Sequence, residues 1–153
     1  MTGHRLRILH ADDDDSFRLL VERVATADPH LSTCCRFEFV FDGTDAVDYV
    51  RGNGRYVDRV AYPMPHMIIL DQRMVQMDGV EALREIKRIP TALHIPVFLL
   101  STSTQHHLLE ACYALGASFC ITKPLDFQRL LPLLSRLVDF AIDVLELPAA
   151  ERF

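Results

Sequence analysis

The chain has 153 residues, half of them hydrophobic and 24% charged, with a formal net charge of −5. That length holds one hydrophobic core rather than two ordinary domains, so a single domain over 1–153 is expected. The acidic balance without a Lys/Arg cluster argues against nucleic acid, no apolar run is long enough to span a bilayer, and no signal peptide fits ahead of the first strand.

Residues 5–11 (RLRILHA) read as a first strand and end in four consecutive acids, Asp12, Asp13, Asp14 and Asp15. One aspartate would suffice to cap the following helix and complement its dipole. Four together repel one another unless something positive sits among them. Phe17, Leu20, Val21 and Val24 then recur at helical spacing, until Asp28-Pro29 stops the helix. Residues 35–41 (CRFEFVF) alternate and form a second strand, with Phe37, Phe39 and Phe41 on one face, expected in the core. Asp42-Gly43 turns the chain into a short helix over 44–51. Residues 52–66 hold two Gly and two Pro. A loop of this length is uncommon in a compact domain, and a functional loop and a passive insertion fit it equally.

Residues 67–70 (MIIL) are too short for an ordinary helix and right for a buried strand, which stops at a single carboxylate, Asp71. Asp78-Gly79 hands the chain to a third helix over about 80–89, with Val80, Leu83, Ile86 and Ile89 inward and Pro90 closing it. Residues 95–100 (IPVFLL) form a fourth strand, ending in the hydroxyl cluster Ser101, Thr102, Ser103 and Thr104. The fourth helix is expected to turn Leu108, Ala111, Cys112 and Leu115 inward, with Gly116 at its C′ position. His106 and His107 in its first turn are expected to be solvated. Residues 118–122 read as a fifth strand ending at Lys123-Pro124. The last helix starts near Asp126 and continues towards Leu147, with Pro132 expected to delay or kink it. Cys34, Cys35, Cys112 and Cys120 make no Cys-x-x-Cys and are expected to be free thiols of a cytosolic protein.

Five strands alternating with five helices predict a parallel sheet covered on both faces, wound as an α/β three-layer sandwich. In such a sheet every strand end reaches the same edge, which gathers Asp12, Asp13, Asp71, Ser101 and Lys123. Carboxylates packed this closely cannot all stay ionised unpaired. A hard divalent cation solves the problem, and Mg²⁺ with several retained waters suits such a site. A lysine and a hydroxyl beside it make a site for a tetrahedral oxyanion. Asp71, at its strand end, is then the natural nucleophile for forming an aspartyl phosphate.

Asp12-Asp13 after the first strand, Asp71 in LDQRMVQMDG, Ser101 in PVFLLSTS and Lys123-Pro124 in GASFCITKPL resemble the receiver domain of two-component response regulators over nearly the whole chain. The resemblance implies a flavodoxin-like, doubly wound five-stranded sheet of order 2-1-3-4-5. It implies that Asp71 accepts a phosphoryl group from the phosphohistidine of a sensor histidine kinase. Asp13 and Asp71, with the backbone carbonyl of Arg73, would ligate Mg²⁺, Asp12 acting mainly through water. Ser101 and Lys123 would follow the phosphoryl oxygens. Two departures stand out: Val75 replaces the usual proline, and Cys120 replaces the aromatic switch residue, whose rotation a cysteine cannot mimic through bulk. Phe119 is expected on the opposite strand face. Arg73 is expected to screen the phosphate from water or to pair with an acid.

The insertion 52–66, the segment PTALHIPV and the prolonged last helix resemble regulators serving bacterial phytochrome-type kinases, with a core of about 5–138 and an extension over 139–153. The tail carries Phe140, Ile142, Val144, Leu145 and Leu147, more than one helix buries on such a core. By family analogy this implies a homodimer through the fourth helix, fifth strand and last helix; packing back onto its own subunit is the alternative. A phosphatase of the haloacid dehalogenase kind also uses a strand-end aspartate, but needs a second aspartate where Arg73 stands. A phosphorylation-independent binding module is the remaining alternative, suggested by Cys120. The expected protein is therefore a cytoplasmic switch, and no enzyme beyond its own aspartyl phosphorylation and dephosphorylation.

Overall fold

The two central strands are buried at every residue: β3 (Met67–Asp71) and β4 (Val97–Ser101). Continuous apolar runs are what a parallel sheet covered on both faces demands. The computed structural model describes residues 5–102 and 106–144. Around the central pair stand β1 (Leu6–Ala11), β2 (Cys35–Val40) and β5 (Phe119–Thr122), all parallel, in the order β2-β1-β3-β4-β5. The helices are α1 (Asp15–Ala27), α2 (Pro29–Cys34), α3 (Gly43–Arg51), α4 (Gly79–Ile86), α5 (His106–Ala114) and α6 (Phe127–Val144).

Strand alternation sorts the core into two layers. Met67, Ile69 and Phe98 meet Phe17, Val21 and Val24 of α1 and Leu130, Leu134 and Val138 of α6. Ile68, Leu70, Val97 and Leu99 meet Val47 and Val50 of α3, Leu83 and Ile86 of α4 and Cys112 of α5. This is the expected doubly wound sandwich.

Several local expectations change. Asp28 does end α1, its N–H bonding the Val24 carbonyl, but its side chain also accepts from the Leu31 N–H and opens α2. Pro29 sits in the first turn of α2, where its missing N–H costs nothing. Phe41 lies past the end of β2 and is 50% exposed, 5.5 Å beneath the Arg18 guanidinium, while Phe37 and Phe39 stack half-buried on the edge strand. α4 ends at Ile86, ahead of Ile89, with Val80 only half-buried. In α5 Cys112 alone is buried: Leu108 is half-buried and Ala111 is exposed, and Leu115, just past the helix end, is half-buried. Gly116 takes φ 98° beyond it, as a C′ glycine should. α6 begins at Phe127 on an Asp126 cap, with no late start, and runs through Pro132. Gln128, whose carbonyl loses its helical partner there, is exposed to water. Ser103, Thr104, Leu145 and Leu147 lie outside the described residues.

The 52–66 insertion is packed down. Tyr56 within it is 3% exposed, and Tyr49, Tyr56 and Tyr62 meet at centroid distances of 4.9 to 6.0 Å. Arg59 crosses the end of α3 and donates to the carbonyls of Tyr49 (2.7 Å), Val50 (2.6 Å) and Tyr62 (3.1 Å). These include the last-turn carbonyls a helix leaves open. Arg59→Ala is expected to cost about 1–3 kcal/mol in urea denaturation, with Arg59→Lys recovering only part because an ammonium lacks the fork. A neutral Arg59→Ala would mean that water replaces the guanidinium.

Candidate functional site

The four acids after β1 divide their work. Asp14 caps α1, accepting from the N–H groups of Ser16 (2.9 Å) and Phe17 (3.3 Å). Asp15 pairs with Arg18, which also donates to the backbone carbonyl of Asp12. That leaves Asp12 and Asp13 to face the strand ends. Asp12 is fully buried, Asp71 is 6%, Ser101 6% and Lys123 9% exposed, and Asp13 is half-buried. One carboxylate oxygen from each of Asp12, Asp13 and Asp71 lies within 4.8 Å of the others.

Arg18 answers the charge of Asp15, and the positive charge among the acids that face the strand ends is Lys123. Its Nζ stands 2.9 Å from Asp12 Oδ2 and 3.4 Å from Asp71 Oδ2, and 4.3 Å from the Phe17 ring centroid. Burial draws the Lys123 ammonium down, but Asp12 and Asp71 together outweigh it and leave the group above its ordinary value. Burial, reinforced by the charge of Asp12, pushes Asp71 up to about 6 despite Lys123. Asp12 is raised as well, by burial first. One ammonium thus serves a cluster with more negative charge than it can balance. An all-oxygen donor set with surplus charge fits a hard divalent cation.

Backbone geometry holds the cluster in place. Asp13 Oδ2 accepts the Val75 N–H at 3.0 Å, a bond that a proline at this position could not make. Gly79 opens α4 directly behind Asp71: its N–H bonds the Gln72 carbonyl at 2.9 Å, and an added Cβ would sit 2.3 Å from the Asp71 carbonyl oxygen. Arg73, two residues past Asp71, is exposed.

Two residues at the site carry no sequence signal. Gln72 accepts a hydrogen bond at its Oε1 from the Ser101 hydroxyl. His10 lies beneath Asp12, 1% exposed, its ring edge-on to Phe17 and Phe39 and its Nε2 3.9 Å from Asp12 Oδ2. Burial pushes His10 down to about 3, so it is neutral and adds no charge to the cluster.

The expected switch position is also on view. Cys120 is half-buried against the α3–α5 layer, while Phe119 points the other way and stacks on Phe98 at 5.7 Å. The Cys120 N–H donates to the Tyr113 hydroxyl of α5 at 3.3 Å. All four cysteines are free, and burial pushes Cys112 up to about 12. His106 is exposed and 2.9 Å from Glu110, a solvated helix residue as expected.

Comparison with known proteins supplies the family context. The response regulator receiver domain matches residues 8–135. The chain is 35% identical over 126 residues to the probable methanogenesis regulatory protein FilR2 of Methanothrix harundinacea, covering 80% of this chain and 75% of that one. It is 32% identical over 109 residues to the response regulator Rcp1 of Synechocystis, covering 71% and 72%. The Mn²⁺-bound form of Rcp1 superposes with a TM-score of 0.77 at 28% identity, over 94% of this chain and 99% of that one. The phosphorylated cyanobacterial phytochrome response regulator RcpA superposes with a TM-score of 0.82 at 28% identity, over 95% and 99%.

Proposed function

The chain belongs to the response regulator receiver domain family, and from that premise we propose that it is a single-domain phosphorylation switch with Asp71 as phosphoacceptor. The observation that carries this is the Asp71 carboxylate, buried at the end of β3 beside Asp12, Asp13 and Lys123. Raised to about 6, Asp71 is still ionised at neutral pH and able to act as a nucleophile. Its oxygen attacks the phosphorus of a phosphohistidine; the O–P bond forms as the P–N bond breaks, and the imidazole leaves. Lys123 pairs with one phosphoryl oxygen, and Ser101 donates a hydrogen bond to another. Asp12, Asp13, Asp71 and the Arg73 carbonyl would hold a divalent cation, for which we propose Mg²⁺. When bound, that ion neutralises negative charge on the carboxylates and the phosphoryl oxygens.

The family implies a histidine kinase as partner. A phytochrome-type kinase is the finer reading, supported by the likeness to RcpA. We also propose a homodimer through α5, β5 and α6. Exposed Tyr113 and Phe119, with Leu125 and Phe127 at the junction into α6, support an apolar contact there. We propose a receiver core of about 5–138 with an extension over 139–153; α6 is continuous to Val144, and its Ala141 is still buried in the core with Phe140 and Ile142 packed against it. Free thiols support a cytoplasmic location. No helix among the described residues is long and apolar enough to cross a membrane.

Intact-mass analysis after incubation with acetyl phosphate and Mg²⁺ tests the reading. One phosphoryl adduct is expected, dependent on Mg²⁺ and absent from Asp71→Asn. The same samples on a sizing column report whether phosphorylation drives association. No adduct on folded protein would overturn the switch and leave a phosphorylation-independent binding module.

A further inference from the structure

The Ser101 hydroxyl donates its hydrogen bond to Gln72 Oε1, and a hydroxyl has one hydrogen to give. Gln72 follows Asp71 directly, and its backbone N–H bonds the Leu100 carbonyl at 2.8 Å. That bond extends the β3–β4 pairing, in which Asp71 sits opposite Leu100. The carboxamide is therefore brought to the Ser101 side chain by sheet register, and it rests there half-buried. Ser101 itself is 6% exposed, so water competes poorly for this bond.

We propose that Gln72 is a positioning residue that holds Ser101 in the unphosphorylated arrangement and competes with the phosphoryl group for the Ser101 proton. The proposal rests on the receiver reading, since it needs Ser101 to turn to a phosphoryl oxygen. In the resting protein the Ser101 hydroxyl donates to Gln72 Oε1; in the phosphorylated protein it donates to a phosphoryl oxygen. The two bonds exclude each other, so the strength of the first is subtracted from the affinity for the second. This exchange of acceptors is a local two-state element at the site, and two-state elements of this kind are what a ligand biases. Gln72 thereby keeps the resting state populated until a phosphoryl group arrives.

The test is titration of the purified chain with beryllofluoride in saturating Mg²⁺, read by calorimetry. Gln72→Met keeps the side-chain length and removes the acceptor, and Gln72→Ala removes both. Either is expected to tighten beryllofluoride binding by about 2- to 10-fold, the range for one competing hydrogen bond. In a Ser101→Ala background the same substitutions are expected to change the dissociation constant by less than about 2-fold, because the coupled partner is gone. A Gln72 variant that binds equally or more weakly, or an equal gain in the Ser101→Ala background, overturns the proposal. Wild-type protein that binds no beryllofluoride would instead overturn the receiver reading beneath it.

Discussion

Asp71→Asn is expected to abolish the phosphoryl adduct and, in the same stroke, to stabilise the unphosphorylated protein at neutral pH. Asp71 is pushed from 3.8 up to about 6, by burial first and then by the charge of Asp12. A carboxyl raised in the folded state binds its proton more tightly there than in the unfolded chain. Between the unfolded value and about 6, the folded state keeps a proton that the unfolded state has lost, so stability falls as pH rises through that window. Above it the ionised group costs a constant amount, on the order of 3 kcal/mol. Asparagine has the same shape and no charge, so the variant escapes the cost. A gain of about 1–3 kcal/mol is expected in urea denaturation near pH 7.5 without divalent cation, shrinking towards zero near pH 4. A bound divalent cation reverses the order. At about 100 times its dissociation constant it adds about 2.7 kcal/mol to the wild type, and less to a variant that has lost one carboxylate. No gain at neutral pH would mean that Lys123 compensates Asp71 fully, and the charge surplus on which the cation argument rests would fall with it.

The parts of this site that were legible in the sequence share one property: each ends a strand. Asp12, Asp71, Ser101 and Lys123 follow apolar runs, and parallel connectivity alone carries them to one edge. Gln72 and His10 were not legible, because their roles arise from register between strands. Gln72 reaches Ser101 through the β3–β4 pairing, and His10 meets Phe39 because the two are opposed across β1 and β2. The same limit explains Phe41: alternation continues through it in the sequence, but the pairing with β1 ends at Ala11 opposite Val40. Asp28-Pro29 reads as a stop in the sequence, and it is also a start, since an aspartate cap and a first-turn proline begin a helix as readily as they end one. In the 52–66 insertion, Arg59 decides between a packed and a loose segment, and one arginine in a polar loop has no periodicity to mark it.

Lys123→Met is expected to produce the largest loss of stability, and its pH dependence identifies the cause. The side chain is nearly isosteric and 9% exposed in the wild type, so packing is largely kept and the loss is electrostatic. The substitution removes the ammonium that Asp12 and Asp71 share at 2.9 and 3.4 Å. Taking one partner from a buried ion pair costs about 3–5 kcal/mol, because the charge left behind is uncompensated. Without Lys123, Asp71 must rise further above 6, so it takes up a proton at a higher pH than in the wild type. The deficit in urea denaturation is therefore expected to be full near pH 8 and to shrink as the pH is lowered towards about 5, where protonation relieves the repulsion. Millimolar Mg²⁺ is expected to recover part of the loss, since a dication takes over the work of the ammonium between the carboxylates. It does not supply the contact Lys123 would make with a phosphoryl oxygen, so adduct formation from acetyl phosphate should remain about 10²- to 10³-fold slower even with Mg²⁺ saturating. A deficit that is the same at both pH values and indifferent to Mg²⁺ would assign Lys123 to packing against Phe17, its other neighbour at 4.3 Å. Stability restored by Mg²⁺ while phosphorylation stays slow would separate the two roles, one in holding the acids together and one in receiving the phosphoryl group.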